Sequence, residues 1–436
     1  MRLCASLSSV SDIERIKKAD MAEVRLDILG HVPNVKGKDL VVTFRDVPDL
    51  SVLPMEFNGM IDVGEHDIHR TGLKVISSHH NYDSTPSAKD ITGLLSNMKG
   101  DVLKGAFRIN SFSDLKSLYD ASRSIPKEHV RLGMGELGTI TRIRQDLLDN
   151  LFTFVYVGEP TAPGQLSLDE MSYLGDEPMI TGIIGHPLDK SLSPKMHNSV
   201  MKRIGLKGIY LRFDTDSLEH LEDVVKDYNI RGLNVTIPYK SAVLEHLDSL
   251  DKAVCETGAC NTILNDGGKL RGYNTDIVGI EHAMISAGFD PNGRRALIMG
   301  SGGAARACAY TLKEKGCRVT VTGRNEGTSR SLCRDLGCEF VPKDSVALML
   351  YDIVINCTPV GMYGDTVYPV NICQLTPHHT VFDMVYGLET PLISKAKEVG
   401  AGIVSGEDML AMQGAASLEM WTGKTDLFKM MREALK

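Results

Sequence analysis

Short apolar runs alternate with amphipathic stretches at helical spacing from the N-terminus to about residue 176. The runs are Arg2–Leu7, Ala22–Leu29, Asp39–Arg45, Met60–Gly64, Leu73–Ser78, Val102–Ile109, Val130–Met134 and Phe152–Val157. Several lack polar alternation, as strands covered on both faces do. Amphipathic helices are expected over Ser11–Ala19, Ala88–Met98, Ser113–Ser122, Thr141–Asn150 and Leu168–Leu174. Between the second and fifth runs the connections are short and rich in Pro and Gly, with little room for helices. Eight strands with helices between them predict a reduced (β/α)8 barrel over residues 1–176, thinly covered on the flank of strands 2 to 5.

Glu177-Pro178 restarts the rhythm. Strands are expected at Met179–Ile184, Tyr210–Phe213, Gly232–Ile237 and Cys260–Leu264, with helices at Met196–Ile204, Leu218–Tyr228 and Ala242–Leu247. This is a second α/β unit. A Rossmann-type set follows, with strands Ala296–Met299, Arg318–Thr322, Asp352–Asn356, Thr380–Asp383 and Ala401–Val404. Helices Asp408–Thr422 and Asp426–Leu435 finish the chain and are expected to fold back on the earlier unit. The whole is α/β.

The strand Ala296–Met299 runs into Gly300-Ser301-Gly302-Gly303-Ala304-Ala305. Gly300, Gly302 and Ala305 fit G-x-G-x-x-G/A, whose small residues let backbone N–H groups and a helix N-terminus approach a pyrophosphate. After the next strand stand Gly323, Arg324 and Asn325. An NAD site usually has Asp or Glu there for the ribose 2′-OH, whereas Arg suits a 2′-phosphate, so NADP is expected.

Composition narrows the classes. A net charge of −8 with no Lys/Arg-rich run argues against a nucleic-acid partner. No apolar stretch nears the roughly 18 residues of a membrane helix, and the N-terminus has no signal-peptide pattern. The nine cysteines include Cys4, Cys308 and Cys357 in apolar runs, and none shows zinc spacing. A cytoplasmic protein without a structural metal is expected, and a homodimer is compatible with the thin flank.

Within the barrel, polar residues fall near strand C-terminal ends, where barrel enzymes place their chemistry. Glu23, Arg25 and Asp27 alternate along strand 2, Arg45 ends strand 3, His79 and His80 end strand 5, and Lys104 lies in strand 6. Arg142 begins the helix after strand 7, and Thr161 and Gln165 follow strand 8. A lysine in an apolar strand, its pKa lowered by burial and neighbouring Arg charges, supplies a neutral amine for Schiff-base formation. Taken singly, Lys104 reads more readily as a snorkelling or ion-paired lysine. The ordered set Glu23-Val24-Arg25-Leu26-Asp27, Thr43-Phe44-Arg45, Ser78-His79-His80-Asn81-Tyr82, Lys104, Thr141-Arg142 and Ala162-Pro163-Gly164-Gln165 resembles type I 3-dehydroquinate dehydratase. The resemblance implies that Lys104 forms an imine with the substrate ketone and that His80 is the general acid/base. Arg142 would take the substrate carboxylate. Glu23, Arg25, Arg45, Thr161 and Gln165 would hold hydroxyls and close the site. The family usually orients its histidine with a carboxylate soon after the Arg45 position, for which Asp46 and Asp49 are the candidates here; Asp62 in Ile61-Asp62-Val63 matches a second acidic position, while Gly64 stands where the family usually has another acidic residue. His79 should face away from His80.

The second half carries Ser191-Leu192-Ser193-Pro194, the Asn234–Lys240 stretch, Cys260-Asn261-Thr262 and Asn274-Thr275-Asp276. Lys240 and Asp276 form a candidate proton-transfer dyad; singly they read as an exposed lysine and a helix-capping aspartate. With Asn356-Cys357-Thr358-Pro359-Val360-Gly361-Met362, Asp383-Met384-Val385-Tyr386 and Gln413, these resemble shikimate dehydrogenase over residues 179–436. The resemblance implies Lys240 and Asp276 as the catalytic pair. Ser191, Ser193, Thr236, Asn261, Tyr386 and Gln413 would bind substrate, and Gly300, Ser301, Gly302, Gly303, Ala304, Arg324, Asn325 and Thr358 would bind NADP. It divides residues 177–436 into a substrate-binding part, 177–275 plus 405–436, and an NADP-binding Rossmann part, 276–404.

The two resemblances together imply consecutive reactions: dehydration of 3-dehydroquinate, then NADPH-dependent reduction of 3-dehydroshikimate to shikimate. The alternatives are a quinate/shikimate dehydrogenase working oxidatively, a barrel with other Schiff-base chemistry such as a class I aldolase, and a cofactor-binding regulatory module with a degenerate barrel.

Overall fold

The computed structural model describes residues 1–68, 72–125 and 127–436. The chain separates into two compact units, Met1–Thr181 with Lys207–Ile230, and Gly182–Leu206 with Arg231–Lys436.

In the first unit, β1 (Leu3–Leu7), β2 (Met21–Arg25), β3 (Asp39–Thr43), β4 (Met60–Asp62), β5 (Lys74–Asn81), β6 (Val102–Arg108), β7 (His129–Met134) and β8 (Thr153–Tyr156) form one parallel sheet. Their order, β7-β6-β5-β4-β3-β2-β1-β8, makes a nearly closed barrel. Strand alternation sorts its interior into layers. Cys4, Met21, Val41, Met60, Ile76, Val102 and Val130 pack together inside. Two residues further along six of these strands stand Ser6, Glu23, Thr43, Asp62, Ser78 and Lys104, all buried. A polar tier therefore lies on an apolar floor, at the strand ends where loops can reach it.

No ladder joins β7 to β8 among the described residues. Just ahead of β8, Leu151 N donates to His129 O of β7 (2.9 Å), and side chains from outside β8 bond to the rest of β7. The Asn150 amide accepts from Arg131 N (2.7 Å) and donates to Arg131 O (2.7 Å), and Thr141 Oγ1 accepts from Gly133 N (2.8 Å).

The helices are α1 (Leu26–Leu29), α2 (Ala88–Ser96), α3 (Phe112–Ser122), α4 (Thr139–Ile143) and α5 (Leu168–Leu174). As expected, only α1 and a 3-10 turn at Leu50–Val52 stand between β2 and β5 among the described residues. Three expectations need correction. The run Ala22–Leu29 is not one strand: it turns helical after Arg25 and stops at left-handed Gly30, so Asp27 leaves the strand face. The helix expected over Thr141–Asn150 is α4 followed by a 3-10 turn, because Arg144 departs from helical angles (φ −97°, ψ 43°). The one over Ser11–Ala19 is a 3-10 turn, Val10–Arg15, whose first turn Asp12 ties to Ser8 and Ser9.

Along the chain, β9 (Met179–Gly185) and α6 (Ser193–Arg203) come next, then β10 (Gly208–Asp214) and α7 (Leu221–Asp227), both of which belong to the first unit.

In the second unit β11 (Ile230–Val235), β12 (Ser249–Leu250), β13 (Thr262–Asp266) and β14 (Lys269–Tyr273) share a mixed sheet. The β13–β14 hairpin turns on Gly267 and Gly268, both at positive φ (62° and 90°), a conformation that costs glycine little. Helices α8 (Lys252–Thr257) and α9 (Asp276–Ser286) follow β12 and β14. The expected helix Ala242–Leu247 is only a 3-10 turn.

The last sheet contains β15 (Arg295–Met299), β16 (Arg318–Thr322), β17 (Glu339–Phe340), β18 (Ile353–Asn356), β19 (Thr380–Asp383) and β20 (Gly402–Val404), all parallel, in the order β17-β16-β15-β18-β19-β20. The order reverses between β15 and β18, the switch point at which such sheets bind ligands. Helices α10 (Gly303–Glu314), α11 (Glu326–Leu336) and α12 (Pro391–Val399) flank it. Finally α13 (Gly406–Thr422) and α14 (Phe428–Ala434) return to the earlier sheet, where the buried Trp421 indole donates to Ile263 O (3.0 Å).

Candidate active site

Each unit holds a cavity faced by a lysine that a buried aspartate anchors. In the barrel the cavity measures about 90 Å³ and is lined by Glu23, Arg25, Arg45, His80, Lys104, Arg142, Thr161 and Gln165, all expected from sequence, with Ser6, Tyr82 and Phe154 added. Lys104 is 4% exposed. Its Nζ donates to Asp62 Oδ2 at 2.8 Å and lies 4.5 Å from the Phe154 ring centre. Asp62 Oδ1 accepts from Ser78 Oγ (2.6 Å) and Gly64 N (3.1 Å). Burial pushes the Asp62 carboxyl up, but the Lys104 charge and these hydrogen bonds outweigh it and leave the pKa below the ordinary value. Asp62 therefore stays ionised and anchors Lys104.

Opposite stands Arg142, fully buried, with Nε and Nη2 lacking protein partners. Burial pulls its guanidinium down to about 10, opposed by the Glu23 charge, so it remains a cation at neutral pH. A buried fork with unspent donors suits a planar carboxylate. Glu23 is held by Thr43 Oγ1 (2.8 Å) and Ser6 Oγ; Gln165 Nε2 reaches Ser6 Oγ (3.4 Å), and Gln165 Oε1 accepts from Thr161 N and Oγ1. Arg25 engages Asp27.

β5 extends to Asn81, three residues further than expected, and sends its two histidines opposite ways. His79 pairs with Glu65 (2.6 Å) outside the cavity, and His80 faces in. The carboxylate expected to orient His80 is missing. Asp46 and Asp49 are both exposed, and Asp49 caps the Leu50–Val52 turn. Among the described residues no carboxylate hydrogen-bonds to His80. Its Nε2 lies 3.5 Å from Arg45 Nη1, and its ring stacks on Tyr82 (6.0 Å, 17°). Burial first, then the Lys104 and Arg45 charges, push the His80 pKa down to about 3. The charged form is disfavoured, so His80 is neutral wherever an ordinary histidine titrates. Dehydration measured as kcat/KM against pH is expected to show no histidine-like acid limb near 6.5; a limb there that His80→Asn removes would contradict this. Stability carries the matching sign. Between about pH 3 and 6.5 the unfolded chain binds the His80 proton and the native one does not, so acidification through that window favours unfolding.

The second cavity measures about 550 Å³. Lys240, five residues beyond the end of β11, bonds through Nζ to Asp276 Oδ2. Asp276 is 4% exposed and opens α9, where the helix dipole favours its negative charge. Thr275, not Asp276, occupies the cap position. Asn261 Nδ2 donates to Asp276 Oδ1 (2.8 Å), while Asn261 Oδ1 accepts from Thr275 N (2.7 Å). Behind it Thr262, Thr275, Asn234 and Ser417 form a buried hydroxyl–amide network. Sequence reasoning passed over Ser417, which lies 155 residues from Thr262 and becomes visible only once α13 has returned. Ser193, Thr236, Tyr386 and Gln413 line the cavity; Ser191 does not, and its Oγ accepts from Ser193 N (3.4 Å). Burial, Asp276 and Tyr363 raise Tyr386 to about 12, so it stays a phenol donor.

Gly300, Ser301, Gly302, Gly303, Ala304, Arg324, Asn325 and Thr358 line the same cavity. Gly300 sits at φ +115°, with Cys357 O 3.1 Å from where a Cβ would stand. Nothing lies within 4 Å of a Cβ on Gly302, the cap of α10, so space is open at that helix start. A Cβ on Gly303 would strike the Lys240 stem at 2.7 Å. Arg324 is exposed, and the Asn325 side chain caps α11 through Thr328 N (3.1 Å). Backbone donors, open room and an unburied guanidinium fit a dinucleotide with a 2′-phosphate. Among the described residues no cluster of His, Cys, Asp or Glu could hold a metal, and no helix is long and apolar enough to cross a membrane.

Comparison with known proteins agrees with both cavities. Residues 55–174 match type I 3-dehydroquinase, and residues 183–263 match the shikimate dehydrogenase substrate binding domain. The shikimate dehydrogenase (NADP(+)) of Methanococcus maripaludis is 36% identical over 270 residues, covering 59% of this chain and 96% of that protein. The chloroplastic bifunctional 3-dehydroquinate dehydratase/shikimate dehydrogenase of Arabidopsis thaliana is 31% identical over 389 residues, covering 80% of this chain and 63% of that one. The crystal structure of Thermus thermophilus shikimate 5-dehydrogenase with NADP(H) and shikimate superposes with a TM-score of 0.54 at 35% identity, covering 59% of this chain and 98% of that chain. The chain therefore belongs to the shikimate dehydrogenase family and carries a type I 3-dehydroquinase domain ahead of that part.

Proposed function

We propose that this enzyme dehydrates 3-dehydroquinate to 3-dehydroshikimate in the barrel and reduces 3-dehydroshikimate to shikimate in the second unit, with NADP as cofactor. One observation carries the reading: in both units a lysine anchored by a buried aspartate faces a cavity lined by groups suited to a polyhydroxylated carboxylate.

In the barrel, the Lys104 amine adds to the substrate ketone and water leaves, giving an iminium that Asp62 charge-balances as it did the ammonium. His80, neutral, takes the proton next to the iminium carbon, then returns it to the departing hydroxyl as water. Arg142 fixes the carboxylate, and Glu23, Arg25, Arg45, Thr161 and Gln165 hold hydroxyls. Hydrolysis frees Lys104.

In the second unit NADPH, when bound, supplies the hydride. Lys240 as ammonium donates a proton to the ketone oxygen, and Asp276, held by Asn261, balances its charge and aims it. Ser193, Thr236, Asn261, Tyr386 and Gln413 bind substrate, with Ser191 acting from behind Ser193. Arg324 holds the 2′-phosphate. Arg324→Ala is expected to raise the KM for NADPH by about 10- to 100-fold, the scale of a lost hydrogen bond to a charged group, and to leave NADH turnover unchanged. Equal loss with both cofactors would contradict the assignment. The reading as a whole is tested by separate assays: appearance of the conjugated product from 3-dehydroquinate without cofactor, and NADPH loss on adding 3-dehydroshikimate. Failure of either removes the corresponding half.

A further inference from the structure

The element that carries Arg142 is a single short turn, buried against its own barrel and tied to it by Thr141 and Thr139. Helix α4 is five residues long, starts at Gly138 without a side-chain cap, and follows the strand whose outer edge lacks a ladder. One helical turn has little stability alone. Yet a carboxylate-binding guanidinium must be placed closely, since errors of about 1 Å can cost about 100-fold.

Both ends of this element are fastened by residues 207–230, a segment of the dehydrogenase-type sequence that folds within the first unit. Before α4, Glu136 accepts from Arg212 Nη1 of β10 at 3.1 Å. After it, Arg144 spends Nε and Nη2 on Asp146 and donates from Nη1 to Tyr228 O at 3.0 Å. Tyr228 and Phe213 are fully buried. Tyr228 lies 5.6 Å from Tyr119 and donates to Leu115 O (3.0 Å), and Phe213 lies 5.9 Å from Phe112. These contacts, with Ser113–Glu219 (3.4 Å) and Lys116–Asp227 (3.6 Å), root the segment on α3, while Arg212 and the Tyr228 carbonyl hold the loop around Arg142.

We infer that residues 207–230 act as a clasp that positions Arg142, making substrate affinity at the barrel site depend on a segment encoded within the dehydrogenase part of the sequence. Arg212, Arg144 and Tyr228 are positioning residues. The inference rests on the proposed dehydratase reading and adds a dependence that reading does not contain.

The test uses full-length Arg144→Met and Arg212→Ala. In Arg144→Met the KM for 3-dehydroquinate is expected to rise about tenfold with kcat changed less than threefold, and 3-dehydroshikimate reduction to be unaffected. Arg212→Ala removes a half-buried side chain paired with the exposed Glu136; its KM is expected to rise two- to fivefold, with the melting temperature measured alongside to show that the chain stays folded. Combined with Glu136→Gln it should add nothing further. Should Arg144→Met be insoluble, Arg212→Ala decides alone. Unchanged KM in every soluble variant, while wild type is trapped by borohydride on Lys104, overturns the clasp only. Absence of trapping in wild type overturns the dehydratase reading itself.

Discussion

Lys104→Ala is expected to abolish dehydration, by about 10⁴-fold or more in kcat, the scale seen when a nucleophile that works as a unit with its base is lost. Borohydride in the presence of 3-dehydroquinate should add one substrate-derived mass to the wild-type barrel and none to the variant. The substitution also strands Asp62, 1% exposed, without its cation, which costs about 3–5 kcal/mol. A second variant separates chemistry from folding. Lys104→Met with Asp62→Asn removes both charges, keeps most of the volume and the Ser78 contact, and should restore stability while leaving dehydration absent. If the neutral pair recovers measurable dehydration or is still labelled within the barrel, Lys104 is not the imine-forming residue.

Lys240→Met should lower kcat for 3-dehydroshikimate reduction by about 10³-fold, within the range for a positioned proton donor, with smaller changes in either KM. Asp276→Asn keeps the Asn261 contact geometry but removes the charge that holds Lys240; a loss of similar direction and lesser size is expected. Dehydration in the same chains should be unchanged. NADPH binding, followed by calorimetry, should also persist, because methionine keeps an apolar stem where the Lys240 stem packs beside Gly303. A Lys240→Met chain that reduces 3-dehydroshikimate within tenfold of wild type would remove the dyad from the mechanism.

What was legible in the sequence follows from the range of the interactions involved. Strand alternation is local, so His79 could be set on the face opposite His80 before any tertiary contact was known, while the resemblance to the dehydratase family placed Glu23, His80 and Lys104 in the site. The glycine turn and Arg324 are likewise local, and the β15–β18 switch point puts them where they were expected. Errors arose where a side chain redirected its own backbone. Arg25 and Asp27 pair two residues apart and share a helical turn, which ended β2 early. Asp49 serves its own turn and is unavailable to His80. Long-range partners were out of reach: the ring of Tyr82 was quoted within a motif without a role, Ser417 looked like any helix serine, and Asp62, legible as an acidic position of the dehydratase family, had no partner until the fold brought it to Lys104 across 42 residues. The bonds that Asn150 and Thr141 make to the β7 backbone left no periodic trace, since each is a single side-chain contact from outside the strand.

The central claim is that one chain performs two consecutive reactions at two lysine–aspartate sites. It is tested most directly by giving the purified full-length enzyme 3-dehydroquinate and NADPH together and following both NADPH and shikimate. One NADPH should be consumed and one shikimate formed per 3-dehydroquinate. The Lys104→Met/Asp62→Asn variant should do neither until 3-dehydroshikimate is added, and Lys240→Met should stop at 3-dehydroshikimate. Unchanged NADPH in the wild-type reaction, in a preparation that reduces added 3-dehydroshikimate, would contradict the account.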